Sequence, residues 1–191
     1  MNLSKSLWTK LITIGLGATI ALGVGLTASK VAEGVQAATS PGTEWVRVTS
    51  VAGLTSGDKY VFMGGSTSTN VMGVTRAGTY QDRITLGSAT NATNLGSNTI
   101  DDQNIGWVLT GSNGVFKISS VKDGTSGYLN YSGSSNAVNY GTTAMDWTFT
   151  YVSDLFVVTA PNGRILQYNS SSPRFATYTS SQQKLSLYKQ N

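Results

Sequence analysis

Trp107 stands nine residues before Phe116, and Trp147 stands nine before Phe156. The stretches that follow also match. Tyr128-Leu129-Asn130-Tyr131 aligns with Ile165-Leu166-Gln167-Tyr168, and Val138 and Phe175 each come seven residues after the tyrosine. Four matched offsets over two successive stretches mark an internal repeat, whose copies bury their apolar faces against one another. A looser first copy runs from Trp45 through Phe62 and Met72, with eight extra residues after the tryptophan and a long insertion, 88–104, before Trp107. Repeats are expected at about 45–106, 107–146 and 147–191 of a single domain, 45–191.

Within each copy the apolar residues alternate over short runs separated by Gly, Asn, Asp and Ser, and no window holds a sustained 3.6-residue stripe. The alternation predicts strands at 45–50, 59–64, 70–75, 82–87, 106–111, 115–120, 127–132, 137–141, 146–151, 155–160, 164–169, 174–179 and 184–189. Asn113-Gly114, Asp123-Gly124 and Asn162-Gly163 supply left-handed turn positions. An all-β fold follows, a β-trefoil-like barrel of three imperfect repeats, with another small closed barrel or a sandwich as the alternative. A trefoil needs twelve strands and thirteen are predicted, so the first or the last is surplus.

The order of a Trp strand, F-x-I, a turn and G-Y-L resembles β-trefoil domains of the fascin-like and ricin-like kind. Residues 164–189, RILQYNSSSPRFATYTSSQQKLSLYK, are similar to the last repeat of a C-terminal module of bacterial extracellular proteins, including some secreted nucleases. The shared signature is L-x-Y-N…R-F-x-x-Y…L-Y-K. Ile105 and Met145 stand where a ricin-type Q-x-W motif has Gln, so that family's sugar site is not carried over.

The chain has no His and no Cys. That removes Ser-His-Asp and Cys-His catalysis, imidazole- or thiolate-bound metals, disulfides and lipidated cysteine. What remains for catalysis is carboxylates, Lys, Tyr or Ser. Asp101 and Asp102 are adjacent in the insertion, which is expected to be a solvated loop; they and Asp146 are the residues on which a carboxylate-dependent hydrolase would rest. The EF-hand spacing of oxygen ligands is absent around Asp101 and Asn104. No catalytic residue, metal site or cofactor is expected.

Binding is the better use of such a surface. Trp45, Trp107 and Trp147 are expected to fill the barrel, and Leu129, Tyr131, Leu166 and Tyr168 to share a core-facing side. On the opposite face Tyr128 and Asn130, with Asp123 in the preceding turn, combine a ring for stacking with an amide and a carboxylate for hydroxyls. Arg174, Tyr178 and Asn169 form a second candidate group. These residues point to a secreted, noncatalytic module recognising a glycan or an anionic cell-envelope polymer. A nucleic-acid-binding or protein-interaction role is a further alternative. For nucleic acid the footprint is slight, because the basic residues are scattered singly.

Lys5 and Lys10 precede an uncharged stretch, 11–29, and the small residues Ala37 and Ala38 close the segment, as in a secretory signal peptide. An uncleaved anchor is the alternative, since the stretch reaches the lower limit for spanning a bilayer. Residues 1–38 are assigned to the signal and 39–44 to a short linker. Cleavage removes Lys5, Lys10, Lys30 and Glu33, lowers the net charge from +4 to +2, and leaves no span in a chain expected to be extracellular.

Overall fold

The computed structural model describes residues 44–96 and 98–191. The signal assignment, 1–38, and the linker up to residue 43 lie outside the described residues.

All thirteen predicted strands are present: β1 Trp45–Arg47, β2 Lys59–Gly64, β3 Asn70–Ala77, β4 Tyr80–Thr85, β5 Trp107–Ser112, β6 Val115–Ser120, β7 Tyr128–Asn130, β8 Asn139–Gly141, β9 Trp147–Val152, β10 Leu155–Thr159, β11 Ile165–Asn169, β12 Arg174–Tyr178 and β13 Leu185–Gln190. Their pairings close a ring. β2 pairs with β5, β5 with β6, β6 with β9, β9 with β10, β10 with β13, and β13 returns to β2, all antiparallel. Between β2 and β5 the chain makes the hairpin β3–β4; between β6 and β9, β7–β8; between β10 and β13, β11–β12. A six-stranded barrel with one hairpin inserted in each third is the connectivity of a β-trefoil-like fold. The surplus strand is β1, which lies along the far end of β13 with Trp45 opposite Gln190.

Register shows the threefold repeat residue by residue. Tyr60 lies opposite Trp107, Phe116 opposite Trp147, and Phe156 opposite Leu185. Two residues on, the inward positions are Phe62, Ile118 and Val158 on one set of strands and Leu109, Phe149 and Leu187 on the other. All of these side chains are buried and form one cluster. The indole N–H groups of Trp107 and Trp147 donate to the carbonyls of Met72 and Leu129, at 3.1 and 3.0 Å. Leu129, Tyr131, Leu166 and Tyr168 are core, as the alternation predicts, and the Tyr131 phenol finds a partner in Ser135 Oγ at 2.7 Å.

One element of the repeat differs from the sequence expectation. Trp45 is not the third barrel tryptophan; Leu185 holds that position. The Trp-to-Trp division and the barrel pairing describe the same circle of strands cut at different points, and Trp45 falls outside the circle. It packs instead with Val61, Met63, Val71 and Tyr188 in a second cluster on the outer side of β2 and β13. The insertion covers that cluster through Leu95, and Ile105, the residue that follows it, joins them. The insertion is therefore not the bare solvated loop expected: its Asn94 bridges to Val46, and its last residues begin a short helix, α1, Asp102–Ile105. Because both faces of β2 are covered, Tyr60, Val61, Phe62 and Met63 are all buried.

Two barrel hairpins turn through left-handed residue pairs, the backbone that matches strand twist. Asn113 and Gly114 have φ of 53° and 78°. The β9–β10 turn uses Ser153 and Asp154, φ 54° and 62°, without a glycine. Arg47 of β1 holds this turn by donating to the carbonyl of Asp154 at 2.7 Å, and it also reaches the carbonyl of Ser66 at 2.9 Å. No helix among the described residues is long and apolar enough to cross a membrane.

Candidate functional site

The threefold relation places equivalent corners where each barrel strand passes into its cap hairpin. Met72 faces Arg83, Leu129 faces Tyr140, and Leu166 faces Thr177 across the three hairpins. Two residues before each of the first-named lie Asn70, Gly127 and Arg164. The backbone is common to the three corners, and each carries a different chemistry.

In the first corner the exposed Arg83 donates to Asn70 Oδ1 at 3.2 Å and to Thr85 Oγ1 at 2.6 Å. A groove of about 440 Å³ beside it is lined by Thr67, Ser68, Thr69, Asn70, Ala89 and Thr90. In the second, the Tyr140 hydroxyl donates to Asp123 Oδ2 and also meets Ser120 Oγ. Burial and the hydrogen bond to the Asp123 carboxylate push the Tyr140 phenol up to about 12. Gly127 is required here, since a Cβ would run into the Tyr140 hydroxyl.

The third corner holds a groove of about 580 Å³. One wall is the loop Ser132–Gly133–Ser134, the other is Asn162–Gly163, and Arg164 and Thr179 complete it. Asn162 ties the walls together, its side-chain amide donating to the Gly133 carbonyl at 2.8 Å. Arg164 is only 8% exposed. Its Nε donates to Thr177 Oγ1 at 3.2 Å, and its Nη2 to the Thr177 carbonyl at 3.1 Å and to Asn136 Oδ1 at 2.5 Å.

The six residues singled out in the sequence fall on two different cap hairpins. Asp123 belongs to the second corner. Beside it Tyr128 is half-buried on β7, and Asn130 donates to the Thr143 carbonyl at 2.9 Å. On the β11–β12 hairpin, Asn169 lies opposite Arg174 and caps its own turn by accepting from the Ser172 amide at 3.0 Å. Arg174 lies over the Tyr80 ring, 5.0 Å from its centroid, and its Nε points to the Tyr178 hydroxyl at 3.4 Å. Tyr178 is buried, so its ring faces are not open for stacking. The sequence reading did not single out Arg164, Asn162, Ser134 and Thr179. For Arg164 the signal is the column Asn70, Gly127, Arg164, visible once the three copies are aligned on Met72, Leu129 and Leu166; the other three carry none.

The acidic residues weighed for catalysis are engaged separately. Asp101 caps α1, accepting from the Gln103 amide at 3.1 Å and from the Asn104 side chain at 2.6 Å. Asp102 pairs with Lys59 at 2.6 Å, and that hydrogen bond holds its carboxyl below the usual range. Asp146 pairs with Lys117 at 2.7 Å.

No family model matches the chain, and no curated protein does. Among solved structures, similarity is found to a lectin from Polyporus squamosus, determined with the human-type influenza-binding epitope Neu5Aca2-6Galb1-4GlcNAc. Identity is 11% with a TM-score of 0.49, over 70% of this chain and 49% of the lectin chain. The chain thus spans about half that lectin's length.

Proposed function

We propose that this chain is an exported, noncatalytic glycan-binding domain of a bacterial extracellular or surface protein, and that its corners are the recognition surface. The observation that carries the reading is the third corner: a groove of about 580 Å³ walled by hydroxyls, an amide, glycine backbone and one guanidinium. Sugars present closely spaced hydroxyls that both donate and accept, and a wall of Ser, Thr and Asn groups answers them in kind. Tyr128 adds a half-buried ring beside the second corner for stacking. Export to the cell exterior, where such polymers are found, is part of the proposal.

The test is a binding screen against soluble polysaccharides and isolated cell-envelope polymers, with Asn162→Ala as the comparison. Retention on one or more glycans, weakened at least tenfold in Asn162→Ala, is expected, because the wall-to-wall hydrogen bond is lost. Retention on none refutes the reading. A hydrolytic activity abolished in Asp102→Asn or Asp146→Asn would replace it with the carboxylate hydrolase.

A further inference from the structure

Arg164 is a cation removed from water. Taking a guanidinium charge out of water is unfavourable unless a counter-charge compensates. The partners described for Arg164 are neutral: the hydroxyl and carbonyl of Thr177 and the amide oxygen of Asn136. Among the described residues the ion pairs are Lys59–Asp102, Lys117–Asp146 and Lys189–Asp58, and none includes Arg164. The groove that Arg164 lines contains no acidic side chain.

The surroundings are fixed. The Ala160 amide donates to the Arg164 carbonyl at 2.8 Å, and the Gly163 amide to the Ala160 carbonyl at 2.9 Å. On the other wall the Tyr131 hydroxyl accepts from the Ser135 amide at 2.9 Å, and Gly133 rests against that phenol so closely that a Cβ would collide with it. The opening is thus formed before any ligand arrives. Asn136, which accepts from Nη2, is itself exposed, so a ligand carboxylate reaches Nη2 by taking the place of a neutral acceptor at the surface.

We infer that the third corner takes a carboxylate-bearing sugar, with the ligand's carboxylate supplying the counter-charge that Arg164 lacks and its ring hydroxyls meeting Ser132, Ser134 and Thr179. The inference rests on the glycan-binding reading and narrows it to acidic saccharides. A planar carboxylate matches the guanidinium edge. The second corner is not the acid site, because it carries Gly127 at the position of Arg164 and a carboxylate of its own, Asp123, which accepts from the Tyr140 hydroxyl.

Four polymers test this by calorimetry with the full chain: polygalacturonate, its carboxyl-reduced neutral form, dextran and dextran sulfate. Expected is binding to polygalacturonate, at least tenfold weaker to the reduced form. Arg164→Gln should lose about ten- to a hundredfold, the range for a hydrogen bond to a charged group. Because that variant also disturbs Thr177 and Asn136, Ser134→Glu is the second variant. It sets a fixed carboxylate at an exposed position of the rim and should weaken polygalacturonate binding about tenfold or more by like-charge repulsion, with an unchanged melting temperature. Equal binding of the native and reduced polymers overturns the acidic specificity and leaves the glycan reading standing. Binding of dextran sulfate alone overturns the carboxylate assignment. Full affinity in a folded Ser134→Glu variant overturns the location, and binding of none of the four overturns both readings.

Discussion

Trp147→Leu tests the barrel's threefold logic, because the equivalent position on β13 is already occupied by Leu185. The leucine is therefore compatible with the local backbone, and what changes is volume and one hydrogen bond. Trp147 is wholly buried. Shortening the indole to an isobutyl group leaves a void of roughly 60 Å³, which at about 24 cal/mol per Å³ amounts to ~1.5 kcal/mol. The Leu129 carbonyl also loses the indole donor 3.0 Å away, worth about 1 kcal/mol. Together these give ~2.5 kcal/mol, or a melting temperature lower by about 5–10 °C for a domain of this size. Trp107→Leu should be worse by about 1 kcal/mol, because Trp107 also makes edge contacts with Phe62 and Tyr140, with centroids 6.5 and 6.2 Å apart. Urea unfolding followed by far-ultraviolet circular dichroism measures both. A Trp147→Leu variant within about 0.5 kcal/mol of the parent, with an unchanged urea slope, would show that the indole does not fill the barrel.

Asp154→Gly relieves a left-handed non-glycine residue whose counterpart in the β5–β6 turn is already Gly114; a gain of about 0.5–1 kcal/mol is expected in the same unfolding assay, and a loss would refute the turn assignment. Gln81 is fully buried with both side-chain amide atoms unpartnered, so Gln81→Met should stabilise by about 1–2 kcal/mol, whereas destabilisation would mean that the amide is satisfied in solution. The Asp102 carboxyl, held below its ordinary 3.8 by the Lys59 hydrogen bond, contributes stability that is present above that value and lost as pH falls through the lower folded value. Asp102→Asn should flatten that part of the acid-unfolding profile, and an unaltered profile would discount the ion pair.

The strands were legible because half-buried β structure leaves a two-residue alternation and each run stops at a turn residue. A fully buried run is legible too: KYVFMG scarcely alternates, yet Gly57-Asp58 before it and Gly65-Ser66 after it mark where it begins and ends. The place of Trp45 was not legible. A tryptophan is a strong marker, and the true third position carries a leucine at the other end of the chain, so only pairing across the closure of the barrel identifies it. The Ser153-Asp154 turn lacks the glycine that would announce it. α1 is four residues long, too short for a helical period to register. The third corner was hidden for a different reason: Ser134, Asn162 and Thr179 come from separate connections, and nothing local to any of them signals that they converge.

β13 lies between β10 and β2, with Leu185 opposite both Phe156 and Gly64. The sixth stave of the barrel is thus made by residues 185–190, and it joins β2 to β10, segments more than ninety positions apart in the chain. A ribosome delivers this stave last. Until it emerges, β2 has no partner along that edge and β10 has only its short pairing with β11 at Val158 and Thr159, so the growing chain cannot close early around a partial core. Folding becomes a single late event, slow because its decisive contacts span nearly the whole domain, and a truncation of only these six residues would leave an open sheet rather than a slightly smaller barrel.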